Sequence, residues 1–317
     1  MEVIKMAVTA AMIKELREIT GAGMSTCKEA LVETDGNIEK AIEVLREKGL
    51  ATAAKKAGRI AAEGVSFAHI TDDNKVGVLL EVNSETDFVA KNEVFQNFVK
   101  SVATQIISSN ATTVEALLEE KWNEDSNETV SSILTQNIAT IGENLTIRRF
   151  EKVVNNGNSF LVSYIHAGGK VAVLVEFETE SRDERLVEAG KNVAMQIAAM
   201  NPEFLNKEAV PSDFIEKETR ILSEQIKNDP KFADKPEKVI ENTIKGRLDK
   251  TLKEKCLLEQ EYVKAEEKET VAKYVEKVAK EIGASVTVKS FVRYETGDGI
   301  EKKEENFAEE VSKAMQG

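Results

Sequence analysis

The chain has 317 residues, and at roughly 150 residues per domain that length favours two domains with room for a sizeable core. Its 43 Lys and Arg stand against 56 Asp and Glu, a formal net charge of −13. That balance speaks against nucleic acid and against an anionic membrane surface as partners, because both need clustered cations.

Four prolines and 17 glycines exclude collagen-like and Pro/Gly-rich low-complexity chains. Two cysteines, Cys27 and Cys256, lie far apart, with no Cys-x-x-Cys spacing. They make no disulfide framework and fit a reducing, cytoplasmic setting. No stretch approaches the ~18 consecutive apolar residues of a membrane span, and the opening residues lack the apolar run of a signal peptide.

Residues 1–50 read as three short helices. Thr9 is placed to cap the first, with Met12, Leu16 and Ile19 on one face. Thr20-Gly21-Ala22-Gly23-Met24 breaks it. Thr26-Cys27-Lys28-Glu29 has capping-box spacing and opens the second helix, which carries Ala30 and Leu31. The third is expected over residues 38–48, with Ile38, Ala41, Ile42 and Leu45 inward and Gly49 as its stop. The unit resembles the ubiquitin-associated (UBA) type of three-helix domain.

Residues 51–62 are small and basic and read as a partly helical linker. Two β-β-α units then repeat. Strands over residues 63–70 and 76–82 precede a helix over residues 91–107, and strands over residues 160–166 and 171–177 precede a helix over residues 183–200. Between the copies lie a polar helical insert over residues 112–140 and a strand over residues 145–154, with Leu145, Ile147, Phe150 and Val154 inward. Residues 203–256 carry Phe214, Ile215, Ile221, Leu222 and Ile226, then Val239, Ile240, Ile244, Leu248 and Leu252, at helical spacing around two proline-marked turns. They predict a projecting antiparallel helical hairpin. A helix over residues 270–282, a strand over residues 285–294 that completes the second sheet, and a terminal helix over residues 300–315 follow.

The expected fold is α+β: a UBA-like domain (1–50), a linker (51–62), a duplicated core with antiparallel sheets in subdomains 63–159 and 160–202 with 257–298, the hairpin (203–256) and a C-terminal module (299–317).

Gly21-Ala22-Gly23 lacks both the third glycine and the preceding strand of a dinucleotide fingerprint, and the chain holds no phosphate-loop motif. A tight helix–helix turn presenting Met24 as a soft contact surface explains it better. Cys27 and His166 could be assembled into a thiol nucleophile pair, but Cys27 falls on the inner face beside Ala30 and Leu31. Two histidines, His69 and His166, allow no His-rich zinc site. No cofactor is expected. The most specific stretch is Val82-Asn83-Ser84-Glu85-Thr86-Asp87-Phe88-Val89-Ala90-Lys91-Asn92. It reads as a strand-to-helix turn capped by Thr86 or Asp87, with Phe88 either in the core or presented beside Asp87 as an apolar wedge.

Taken together, Thr20-Gly21-Ala22-Gly23-Met24, Cys27-Lys28-Glu29-Ala30-Leu31, Glu81-Val82-Asn83, Thr86-Asp87-Phe88-Val89-Ala90-Lys91, Ile141-Gly142-Glu143-Asn144, Ser163-Tyr164-Ile165-His166, Pro202-Glu203-Phe204 and Gly297-Asp298-Gly299-Ile300 resemble the elongation factor Ts family along nearly the whole chain. The resemblance implies a guanine-nucleotide exchange factor with no covalent chemistry of its own. Its partner would be the GTPase elongation factor Tu, and its hairpin would support a homodimer or heterotetramer. It also implies that Thr86, Asp87, Phe88 and Val89 dislodge the partner's Mg²⁺, and that Arg17, Met24, Lys28, His166 and Val263 contact the partner. Ser25, Thr26 and Lys264 depart from the residues usual there. Two rival readings are a UBA-like and coiled-coil scaffold with Phe88 in its core, and a thiol hydrolase using Cys27 and His166.

Overall fold

The computed structural model describes residues 8–301. Ile300 and Glu301, where the expected terminal helix begins, are not helical, and the rest of that helix and of the expected C-terminal module lies outside the described residues. The chain divides into two compact units.

Of the described residues, the first unit holds 8–67, 80–150 and 295–301 and begins with three helices: α1 (Ala10–Thr20), α2 (Met24–Glu33) and α3 (Ile38–Lys56). Thr9 caps α1 by accepting from the Met12 N–H, and Gly21, at φ +66, ends it. Leu16, Cys27, Ala30, Leu31 and Ala41 form the core of the three, with Met12, Ile38, Ile42 and Leu45 packed against it.

Three expectations change here. Ile19 is exposed, in the last turn of α1. The second helix starts at Met24, because the chain enters it directly from the extended backbone of Gly23, and Thr26 lies inside it rather than at its cap. Helix α3 runs through Gly49 to Lys56. Gly49 is buried there, and a Cβ on it would meet Ala139 at 3.5 Å, so packing carries the helix past a residue of low helix propensity.

Strands β1 (Glu63–Ile70), β2 (Val76–Ser84) and β3 (Thr146–Val154) form a sheet in the order β1-β2-β3, and each strand crosses the division between the units. In β3, Leu145 just ahead of the strand and Ile147 are buried, Phe150 is half-buried, and Val154 is exposed rather than inward. One turn of helix, α4 (Asp87–Ala90), leads to α5 (Glu93–Ser108), which Asn92 caps and which buries Phe95, Phe98, Val99, Val102 and Ile106. The expected helical insert is two helices, α6 (Val114–Glu119) and α7 (Val130–Ile141), around a segment that buries Trp122. Helix α7 packs on α3 and α5 and ends at Gly142, at φ +84.

The second unit, residues 68–79 and 151–294, holds β4 (Ser159–His166), β5 (Val171–Glu178), helices α8 (Arg185–Met200), α9 (Ser212–Lys227), α10 (Glu237–Lys255) and α11 (Val271–Ile282), and β6 (Thr287–Glu295). The sheet order is β4-β5-β6, with β4 and β5 antiparallel. The expectation that the last strand completes the second sheet is met. The central strand is buried from Val171 to Phe177 because both its faces are covered. Val171, Val173, Val175 and Phe177 join a core with α8 and α11 residues, while Ala172 and Leu174 pack with Ala68, Leu79 and Tyr294.

Helix α8 lies so close to β4 that a Cβ on Gly190 would come within 2.4 Å of Val162. Helices α9 and α10 form the expected hairpin. Leu222 and Ile226 are buried in α9, whereas α10 has no fully buried residue.

Candidate functional site

Strand β2 enters the turn with Ser84 buried, and within three residues the chain is on the surface. Thr86, in extended conformation, is the N-cap of α4. Four residues of helix make too few hydrogen bonds to offset nucleation, so the turn depends on outside anchors. Val89, 9% exposed, is the inward anchor, and Phe88, 80% exposed, points away from any core. Of the two placements left open for Phe88, the exposed one beside Asp87 is observed, and the scaffold reading loses its buried Phe88. Asp87 accepts from Lys91 Nζ at 2.9 Å, one turn on. That ion pair is exposed on both sides and holds little energy.

The anchors on Thr86 come from the segment after α7. Glu143 Oε2 accepts the Thr86 N–H at 3.0 Å and its Oε1 accepts the Thr86 hydroxyl at 2.6 Å. Reciprocally, Glu85 Oε1 accepts the Asn144 N–H at 2.6 Å. Asn144 Nδ2 donates to the Arg59 carbonyl at 2.8 Å, and Arg59 lies 3.4 Å from Glu85. Ser84 Oγ donates to the Thr86 carbonyl at 3.0 Å.

In the three-helix domain Arg17 is exposed in the last turn of α1, while Met24 and Lys28 are exposed on α2 at i, i+4 spacing and so share one face. Val32, 58% exposed, continues the same stripe. Cys27, between them in sequence, is fully buried, and its Sγ donates to the Ala22 carbonyl at 3.6 Å. A thiol so enclosed offers no nucleophile to a substrate.

In the second unit His166 is exposed at the end of β4, where Ala167, Gly168 and Gly169, all at positive φ, turn the chain back into β5. Its Nδ1 is hydrogen-bonded to the Tyr164 hydroxyl at 2.9 Å. Val263 is 53% exposed. Its N–H donates to Oε1 of Gln196, a fully buried side chain of α8 whose Nε2 also holds Gln260 and the Glu261 carbonyl, each at 3.1 Å. Tyr262 beside it stacks on Tyr274 at 4.2 Å.

Sequence reasoning assigned no role to Glu143, Tyr164 or Gln196. Tyr164 was readable, since period 2 in a strand puts it on the His166 face. Glu143 left a weaker signal: a carboxylate just past a helix-ending glycine, with no local partner.

Residues 85–298 match the family described as Elongation factor TS, and residues 7–51 match a UBA-like domain. The chain is 51% identical over 308 residues to a protein of Clostridioides difficile (strain 630) named Elongation factor Ts, which covers 97% of this chain and 99% of the relative. It is 50% identical over 309 residues to the Elongation factor Ts of Clostridium botulinum (strain ATCC 19397 / Type A), covering 97% and 98%. The protein of that name from Clostridium novyi (strain NT) is 51% identical over 308 residues, covering 97% and 99%. With one surface turn, one helix stripe and two anchored positions in hand, and with half its residues shared with these relatives end to end, the chain belongs to the elongation factor Ts family.

Proposed function

We propose that this protein binds the GDP form of elongation factor Tu in the cytoplasm and speeds GDP release, so that the GTPase reloads during protein synthesis. The observation that carries the reading is the turn at Asp87 and Phe88. A ring left 80% in water on an anchored helical turn, beside a carboxylate, offers both an apolar plug and an anion to one partner. Burying a phenylalanine side chain contributes about 2–3 kcal/mol, available to offset distortion of the partner.

The target is the partner's Mg²⁺ site. Mg²⁺ requires near-ideal octahedral oxygen ligation, so a small displacement of its supports weakens both ion and nucleotide. Asp87 and Phe88 push there, on a turn that Thr86 caps and that buried Val89 holds from inside. Arg17, Met24 and Lys28 dock the three-helix domain, and His166 and Val263 provide contacts from the second unit. Exchange is then reciprocal coupling: the factor lowers nucleotide affinity by the same ratio that nucleotide lowers its own. A 10⁴-fold loosening requires about 5.5 kcal/mol of differential binding. The chain itself performs no covalent chemistry in this scheme. Ile221 and Val239, exposed on the hairpin, support the further reading that α9 and α10 receive a second copy.

The test is displacement of fluorescent GDP from elongation factor Tu. Asp87→Ala with Phe88→Ala is expected to slow release at least tenfold while the melting temperature stays within a few degrees. Unchanged release from the folded double variant rejects the proposal.

A further inference from the structure

Thr86, the residue that opens the Asp87–Phe88 turn, is held by a residue 57 places away. The segment after α7 delivers Glu143 through the left-handed Gly142, and the one carboxylate takes both donors of Thr86, the backbone N–H and the hydroxyl. Thr86 is the N-cap of α4, yet its side chain makes no cap hydrogen bond to the helix, and its hydroxyl donates to Glu143 instead. The residue that normally secures a helix start is therefore secured from outside. The reciprocal bond from Asn144 N–H to Glu85 closes a two-way strap on the residues just ahead of Asp87.

We infer that Glu143 is a positioning residue for nucleotide exchange. It holds α4 in its docking conformation in the free chain, so that the ordering cost of a four-residue helix is not paid when the partner binds. Glu143 touches neither nucleotide nor metal in this scheme. It acts through Thr86, and the inference rests on the exchange reading given above.

The experiment is a cycle of variants in the fluorescent-GDP assay with the full chain and intact elongation factor Tu. Glu143→Ala removes both acceptors and is expected to slow GDP release about tenfold. Glu143→Gln keeps the shape: its carbonyl accepts the Thr86 N–H and its amide donates to the Thr86 hydroxyl oxygen, so it is expected to restore the rate to within about threefold of the original. In the Asp87→Ala, Phe88→Ala background, Glu143→Ala is expected to cost less than twofold more, since no tip remains to be positioned. Hydrogen exchange on the free chain provides the second readout. The Thr86 amide is expected to lose protection at least tenfold in Glu143→Ala while the β2 amides keep theirs.

Full activity of Glu143→Ala overturns the inference. So does an equal loss in both backgrounds, or a loss of protection that spreads through β2. If Asp87→Ala with Phe88→Ala leaves release unchanged, the exchange reading fails with it. If that variant is slow but Glu143 shows no coupling to it, the positioning role alone is rejected.

Discussion

Arg149 Nε lies 2.6 Å from Oε2 of Glu81, and the Glu81 side chain is fully buried. The other carboxylate oxygen accepts from Arg148 Nη1 at 2.9 Å, from the Gly297 N–H at 2.8 Å and from Asn83 Nδ2 at 3.1 Å. Arg149 Nη2 also donates to the Glu295 carbonyl at 3.2 Å. One charge on β2 thus holds two cations on β3 and the loop that follows β6. A buried carboxylate is tolerable when both oxygens are occupied in this way.

Removing that charge takes from both guanidinium groups and from the Gly297 N–H the acceptor that Glu81 provides. Glu81→Ala is expected to lower stability by about 3 kcal/mol, as loss of one partner from a buried ion cluster does. Glu81→Gln keeps one acceptor in place and is expected to cost less. Urea unfolding followed by circular dichroism measures both, and a loss under about 1 kcal/mol for Glu81→Ala contradicts the account.

The second sheet has a comparable device with a pH signature. Glu176 of the central strand β5 accepts from Ser159 on β4 at 2.7 Å, and from Lys289 at 2.9 Å and Ser290 at 3.1 Å on β6. Burial alone pushes its carboxyl up, but the hydrogen bonds from Lys289, Ser159 and Ser290, with the Lys289 charge, outweigh it and hold the group below its ordinary 4.5. A depressed folded value means that the ionised form stabilises the fold. The contribution is complete above about pH 4.5, where the unfolded chain is also ionised. It fades as pH falls through the folded value. Urea midpoints between pH 6 and pH 3 are expected to fall more steeply in the parent than in Glu176→Gln. Parallel curves would show that Glu176 is not part of the acid response.

Much of this fold was legible because its signals are local. Thr9 caps its helix as its position indicates, and the paired apolar runs of the two β-β-α units form the two sheets. The largest departures share a cause, which is that long-range contacts override a local rule. Gly49 stops an isolated helix, yet here it lies against Ala139 in the middle of one. Phe88 is an apolar residue that local rules place inside or outside with equal ease, and only its anchored turn decides. Glu143 and Thr86 meet across 57 residues, Glu81 and Arg149 across 68, and Gln196 and Val263 across 67. No periodicity connects such pairs, so the residues that aim the candidate contacts were hidden while the contacts themselves were not.

Tyr164 offers a prediction at the second unit's candidate contact. Its ring packs against the β5–α8–α11 core, so its hydroxyl is a fixed post, and the His166 ring sits 5.9 Å away with Nδ1 on that post. Where Nδ1 accepts from the phenol, an imidazole with a single ring proton carries it on Nε2 and presents a donor outward. Tyr164→Phe keeps the packed ring and deletes only the hydroxyl. Its stability is expected to stay within about 1 kcal/mol of the parent. If His166 meets the GTPase as a directed donor, GDP release is expected to slow by about threefold to tenfold, as befits one hydrogen bond's worth of orientation. Nitrogen-15 spectra of the imidazole read the cause directly: the Nε2–H tautomer is expected to dominate in the parent and to lose ground in Tyr164→Phe. An Nδ1–H tautomer in the parent reverses the hydrogen bond and removes the basis for an outward donor at His166.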